Sequence, residues 1–258
     1  MKLVTFVDRS DKQLIGVLTD DNSSIVILHS GTEAIERERE PSFTDMLAFL
    51  RGGVEAREKA QAVVEHVMSK KIPGSIVSLN DVTLLSPVPC PESIRDFMSF
   101  EQHIVNYIRK VGLKKLAPID ELIEKVFGRK RSLAYRLNRA WYERPIYYKS
   151  NRFSVVGTNV DVRMPSYTEQ FDYELEWGIF IGKQGKDIPE EHARDYIGGY
   201  AIFNDFSARD IQEKERGGRL GPAKGKDFDT GNAIGPFLVT PDEVPDPYRL
   251  NTVSYTHL

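Results

Sequence analysis

The sequence holds a single cysteine, Cys90, in 258 residues. No intrachain disulfide can form, and a reducing compartment is indicated. Cys90 lies in Pro-Val-Pro-Cys-Pro, with no helix terminus and no neighbouring base to activate a thiolate. No apolar run reaches the length of a membrane-spanning helix, and no N-terminal run has signal-peptide character. The expectation is therefore a cytoplasmic protein with no membrane partner. Cysteine and histidine also lack the spacing of a zinc site. Neither sign of charge dominates: 35 basic against 38 acidic residues leave a formal charge of −3, so a nucleic-acid partner is not expected. The one concentrated basic run, Gly128-Arg129-Lys130-Arg131, reads as a solvated face. At 40% hydrophobic and 28% charged, the remainder is ordinary globular composition, enough for one large domain or two smaller ones.

Short β-rich runs open the chain at Leu3–Val7, Leu14–Leu18 and Ser24–Leu28, separated by Asp and Asn clusters that suit hairpin turns. Phe43, Met46, Leu47 and Leu50 then recur at helical spacing until Gly52-Gly53. A second helical pattern carries Ala60, Val63, Val64, Val67 and Met68, and ends before Pro73. Ser86-Pro87-Val88-Pro89-Cys90-Pro91 is the boundary candidate, because three prolines in six residues interrupt a helix or a central strand. Helical patterns follow on Phe100, Ile104, Tyr107, Ile108 and Val111, on Ile119, Leu122, Ile123, Val126 and Phe127, and on Leu133, Leu137, Ala140 and Trp141. Beyond Pro145, strands are expected at Ile146–Tyr148, Phe153–Val156, Tyr200–Phe203 and Pro236–Thr240, with one capped helix over Asp187–Tyr196.

The segment Gln170–Gly182, QFDYELEWGIFIG, alternates Tyr173, Leu175, Trp177, Ile179 and Ile181, the period-2 pattern of a half-buried strand. Glu174 and Glu176 then share its other face, about 6.6 Å apart. On a solvated face they need no explanation. Enclosed, two like charges need a cation or a proton. An oxygen-ligated cation such as magnesium or calcium suits carboxylates without histidine or thiolate. Three more segments concentrate polar groups: Asp96-Phe97 with His103, Asn204–Gln212, and Lys224–Thr230 after a Gly-rich loop. Each alone has an ordinary structural reading: a packed helix histidine, a turn cap, a surface lysine.

Taken together, the Glu-Leu-Glu strand, Asn204-Asp-x-Ser-Ala-Arg-Asp-x-Gln212, Lys226-x-Phe-x-Thr230, and Asp96-Phe97 followed by His103 resemble the fumarylacetoacetate hydrolase family in order and spacing. The resemblance runs from about Ser86 to Thr240. It implies an α+β protein: a small N-terminal α+β domain (1–85) before a mixed β-roll core (86–250), incomplete at the C-terminus. Residues 251–258, whose end resembles translated sequencing adapter, are expected to be a non-native tail, with His257 no ligand. The resemblance further implies that Glu174, Glu176, Asp205 and Asp96 bind a divalent cation, magnesium first, manganese or calcium as alternatives. His103 is implied as the catalytic base, and Gln212, Lys226, Thr230 and Arg209 as the substrate-binding set.

The activity so implied is metal-dependent cleavage of a C–C bond in an acylpyruvate-like keto acid by a homodimer. Decarboxylation, hydration or isomerisation of a keto acid, and an inactive metal-binding fragment, remain open beside it. Met98 and Arg216 stand where fumarylacetoacetases place substrate-facing tyrosines, a departure that argues against fumarylacetoacetate itself.

Overall fold

A computed structural model describes residues 1–218 and 220–254. The chain forms two compact units, one built from Met1–Glu92 together with the chain from Asn151 onward, the other from Ser93–Ser150. Residues 255–258 of the expected tail, His257 included, lie outside the described residues.

The first unit opens with the expected hairpins, β1 (Lys2–Val7), β2 (Gln13–Leu18) and β3 (Ser24–Ile27), paired antiparallel in order. Asp8 Oδ1 closes the first turn by accepting from the Ser10 and Lys12 N–H groups at 2.9 and 3.1 Å. Asp21 does the same in the second, and hydrogen bonds from Thr19 and Ser23 pull its carboxyl down to about 2. Asn22 takes the left-handed conformation there, with φ 54°, which Asn tolerates better than most residues. Gly16 is needed for strand approach: a Cβ would meet Ile25 Cγ2 at 2.3 Å.

The third run is shorter than expected. Leu28 leaves the strand to open a helix, α1 (Leu28–Glu36), that the strand-like pattern concealed. Helix α2 (Met46–Lys70) carries both helical patterns, capped by Asp45, whose carboxylate accepts the Ala48 N–H at 2.8 Å. The two patterns meet at Gly53, where φ 58° breaks the helical path, so the glycine pair divides the helix as expected. Met46, Phe49, Leu50, Ala60, Val63 and Val67 pack against Leu3, Ile15, Val17 and Val26 of the strands. Each large side chain so buried contributes about 1.5–3 kcal/mol. Strands β4 (Ile76–Ser78) and β5 (Thr83–Leu84) pair with β3 and β1, and the proline-rich segment is pinned to β1 by the Thr5 hydroxyl donating to the Pro87 carbonyl at 2.6 Å.

The second unit is a hairpin, β6 (Ile94–Phe97) with β7 (Tyr147–Ser150), enclosing helices α3 (Glu101–Tyr107), α4 (Ala117–Phe127), α5 (Leu133–Leu137) and α6 (Arg139–Glu143). The third helical pattern is thus two short helices, separated at Asn138. Ile104, Val105, Leu113 and Ala134 form the small core. Asp120, fully buried, holds α4 to α5: its carboxylate accepts the Leu133 and Ala134 N–H groups and pairs with Arg109 at 3.1 Å. Ile119, Leu122, Val126 and Phe127 of α4, expected as its packed face, are exposed in this chain.

The first unit resumes with β8 (Val155–Val156), β9 (Phe171–Asp172), β10 (Leu175–Ile181), β11 (Ile197–Asp205), β12 (Ser207–Ala208), α7 (Arg209–Glu215) and β13 (Asn232–Val239). The main sheet runs β10-β11-β13-β1-β2-β3-β4, and β8 joins β13 in parallel, so the sheet is mixed. Asn232, fully buried, ties β13 to the chain before β8 through Nδ2 donations to the Asn151 carbonyl and Ser154 Oγ at 2.9 and 2.7 Å. The helix expected over 187–196 is a 3₁₀ segment, Glu190–Tyr196, with no side-chain cap. Pro189 stands at the cap position and has neither a hydroxyl nor a carboxylate to accept with.

Candidate metal centre

The centre is built where β10 enters the sheet and β11 leaves it. Leu175 to Phe180 pair with Asn204 to Gly199, which sets the Glu174 end of one strand beside the Asp205 end of the other. Two hydrogen bonds extend the pairing past the strand: Asn204 Oδ1 accepts the Glu174 N–H at 3.2 Å, and the Asp205 N–H donates to the Glu174 carbonyl at 3.0 Å. The strand faces are the reverse of those its pattern suggests. Trp177, Ile179 and Ile181 are exposed, whereas Glu176, Gly178 and Phe180 are half-buried. Phe180 packs against the main core and against Ala201, Phe203 and Ile234, which draws the acidic face inward.

On that face Glu174 and Glu176 are half-buried and Asp205 is wholly buried. Each offers a carboxylate oxygen, and these oxygens lie within 4.8 Å of one another. Two ligands of one oxygen-coordinated cation, each about 2.0–2.6 Å from it, stand at most about 4.0–5.2 Å apart, and the spacing here falls within that range. The donor set is all hard oxygen, which fits magnesium, manganese or calcium rather than zinc.

Cations of the protein already face these carboxylates. Lys226, only 3% exposed, donates from Nζ to Asp205 Oδ2 at 2.6 Å and to Glu174 Oε2. Arg209, the first residue of α7, donates to Glu174 Oε1 at 2.5 Å and to Asp172 Oδ2 at 3.0 Å. Burial works to raise the Glu174 carboxyl, but the Lys226 charge, its hydrogen bond and then Arg209 outweigh it and hold the group below its ordinary value. Burial likewise works to lower Lys226, and the Asp205 and Glu174 charges prevail and raise it.

The loop carrying Lys226 is fixed from two sides. Glu215 Oε2 accepts the Ala223 and Gly225 N–H groups at 2.8 and 3.1 Å, and the Ala208 N–H donates to the Gly225 carbonyl at 2.8 Å. Gly225 lies so close to α7 that a Cβ would stand 2.9 Å from the Gln212 backbone. Thr230 sits in the left-handed region, φ 66°, sparsely populated by β-branched residues, and its hydroxyl accepts the Arg163 N–H at 3.1 Å. Gln212 is half-buried on α7, three residues beyond Arg209. Asp96 and His103 belong to the second unit: Asp96 is half-buried on β6 opposite Tyr148, and His103 is exposed on α3.

Four residues of the site's scaffold were not singled out from the sequence. Asn204 sits in the quoted Asn-Asp run, but its acceptor role appears only with the strand pairing. Asp172 shares the strand parity of Glu174 and is the one a sequence reader had a signal for. Glu215 and Asp227, the latter accepting from Asn151 Nδ2 at 2.5 Å, had none, since their partners are distant in sequence or are backbone groups.

A family model described as "Fumarylacetoacetate (FAA) hydrolase C-terminal" matches residues 126–256. A Burkholderia cenocepacia protein named as a hydrolase is 45% identical over 107 residues, which are 42% of this chain and 37% of that protein. The mitochondrial oxaloacetate tautomerase of Xenopus laevis is 29% identical over 256 residues, 97% of this chain and 65% of the relative. The chain thus spans less than two thirds of either relative's length. Maleylpyruvate hydrolase from Sphingobium sp. SYK-6, solved with manganese(II) and pyruvate, shares the fold at TM-score 0.60 and 20% identity, over 96% of this chain and 70% of that one. Fumarylacetoacetate hydrolase from Exiguobacterium antarcticum aligns at TM-score 0.58 and 21% identity, over 94% and 67% of the respective chains.

Proposed function

Since the chain belongs to the fumarylacetoacetate hydrolase family, we propose that it is the metal-binding part of an enzyme that hydrolyses a C–C bond in an acylpyruvate-like acid. The observation that carries this reading is the enclosure of Asp205 with Glu174 and Glu176, whose oxygens lie within 4.8 Å of one another on the buried side of the sheet. Glu174, Glu176 and Asp205 would hold the cation, with Asp96 a further ligand on the strength of the resemblance. When bound, magnesium or manganese supplies Lewis-acid stabilisation of enolate charge, typically several kcal/mol.

The chain's own residues take the other roles. Glu174 and Asp205 supply the negative charge of the centre, and Lys226 faces both of them and Arg209 faces Glu174. Arg209 fixes the Glu174 carboxylate by holding one oxygen while its other contact, Asp172, fixes the guanidinium. Lys226 and Gln212 are assigned to anionic and carbonyl oxygens of the substrate, and Thr230 and Arg209 to the wall of the site. His103 is assigned as general base on water, a role worth about 10²–10⁴-fold. We assign catalysis to segment 86–250 and support to 1–85, in a cytoplasmic homodimer. No helix among the described residues is long and apolar enough to cross a membrane.

Magnesium-dependent turnover of acetylpyruvate by the purified chain, lost in Glu174→Ala, is the test. Thermal stabilisation by magnesium with no turnover would instead favour a metal-binding fragment. A second reading, isomerisation or tautomerisation of a keto acid, is supported by the Xenopus tautomerase, whose match covers 97% of this chain. Enol–keto interconversion of oxaloacetate, followed by ultraviolet absorbance, separates the two.

A further inference from the structure

Helix α4 is packed inside out. Asp120 and Glu124, on the side it turns to its own unit, pair with Arg109, and Ile123 is the one large apolar side chain of the helix that is half-buried. Leu122, Val126 and Phe127 stand 60, 61 and 70% exposed, with Ile119 and the preceding Leu116 exposed beside them. At 3.6 residues per turn these side chains share one arc of roughly 140°, an amphipathic face with nothing of this chain laid over it. Single exposed apolar residues are ordinary, whereas a contiguous face of this kind marks an interaction surface.

Charge indicates the partner. The unit that carries the helix, residues 93–150, has 13 basic and 6 acidic residues, a net charge of +7. The rest of the chain, with 22 basic and 32 acidic residues, stands at −10. Lys114 and Lys115 precede α4, Lys125 lies on it, and Lys130 and Arg131 follow it. All five are exposed and form no ion pair among the described residues. The basic run beyond Gly128 is thus one end of a cationic border around an apolar arc.

We propose that α4 is an in-plane docking helix for an anionic lipid surface. Its apolar arc enters the boundary between headgroups and acyl chains, and the flanking lysines and Arg131 meet the headgroup charge. A sheet of headgroups satisfies cations at both ends of the helix without matching their spacing. A second copy meeting this face would bring two units of charge +7 together. The helix is also formed before it docks, because buried Asp120 accepts the Leu133 and Ala134 N–H groups and pairs with Arg109. Docking therefore carries no cost of ordering the helix. The absence of a spanning run, from which no membrane partner is expected, does not bear on a contact of this kind, and the 11 residues of α4 are too few to cross a bilayer. The inference stands apart from the metal reading.

The experiment is flotation of the purified chain with vesicles of phosphatidylcholine alone and of phosphatidylcholine mixed with phosphatidylglycerol. The chain is expected to float with the mixed vesicles and not with the neutral ones, and to bind less as salt is added. No flotation with the mixed vesicles overturns the proposal. The variants L122S/V126S/F127S and K114Q/K115Q/K130Q/R131Q should each lower partition about tenfold or more, since both apolar area and charge contribute. A serine variant that floats like the wild type overturns insertion of the arc and leaves attraction by charge alone. Sedimentation velocity tests the other occupant: a dimer that dissociates in the serine variant assigns the face to a second copy and overturns the proposal. F127W, which keeps the arc apolar, supplies the second measurement. Its added tryptophan emission is expected to shift to the blue on mixed vesicles, and an unshifted emission overturns the proposal.

Discussion

Consider Glu174→Gln in protein stripped of metal by a chelator. The substitution keeps the side chain's shape and removes one charge from the set formed by Glu174, Glu176, Asp205, Lys226 and Arg209. At about 3 Å and an effective dielectric near 20, the pair with Lys226 is worth about 5.5 kcal/mol gross. Half or more of that is returned, because Glu174 no longer has to be desolvated and Asp205 still faces the ammonium. The pair with Arg209, whose side chain is 34% exposed, adds about 0.5 kcal/mol once screening is allowed for. The expected loss is about 3 kcal/mol, or about 6–12 °C in Tm for a chain of this size. Urea denaturation at pH 7 measures it, with the m-value checking that both proteins unfold alike.

The pH dependence has a definite sign. Glu174 is held below its ordinary value of 4.5 in the folded protein, so its stabilisation is complete well above that pH and is lost as pH falls through the folded value. The gap between wild type and variant should therefore narrow in acid. A double-mutant cycle with K226M should return a coupling of about 2 kcal/mol, since removing both charges relieves what either removal leaves. A loss under about 1 kcal/mol, or additivity within about 0.5 kcal/mol, would refute the account of the cluster as a mutually dependent set of charges.

Other expectations concern the frame. Gly225→Ala forces a methyl to within 2.9 Å of the Gln212 backbone, so a loss of about 1–3 kcal/mol and weaker Mn²⁺ binding are expected, read by denaturation and calorimetry. Asp120→Asn leaves half-buried Arg109 with Glu124 as its remaining ion-pair partner and weakens the hold on the Leu133 and Ala134 N–H groups. Hydrogen exchange over 130–143 should accelerate, with the N-terminal hairpins unchanged. Glu40 is held below its ordinary 4.5 by Lys59 and Ser42, with Ser42 N–H also donating to it. Glu40→Gln should therefore cost stability at neutral pH, and the difference should shrink as pH falls below about 4.5.

The legible parts of the site were those written in short runs. Glu174 and Glu176 share a parity, and the Asn204–Gln212 run places Asp205 and Arg209 four residues apart, so their chemical character could be read before any fold. The hairpins and the glycine break in α2 were legible for the same reason: turn-forming Asp and Asn, and glycine's access to positive φ, act locally. Which face of β10 turns inward was not. Trp177, Ile179 and Ile181 have the apolar pattern of a buried face, yet the half-buried side in this chain is that of Glu176, Gly178 and Phe180.

Local pattern determined the N-terminal hairpins, the glycine break in α2 and the inventory of charges, because turn chemistry, glycine's backbone freedom and side-chain parity depend on neighbours a few residues away. Tertiary structure alone decided that β1 pairs with β13 and that Glu174 meets Lys226, a partner 52 positions away. It also decided that Glu215 holds the loop beneath that lysine. Those outcomes depend on burial and on dielectric screening, which no stretch of sequence possesses until the strands have closed around it.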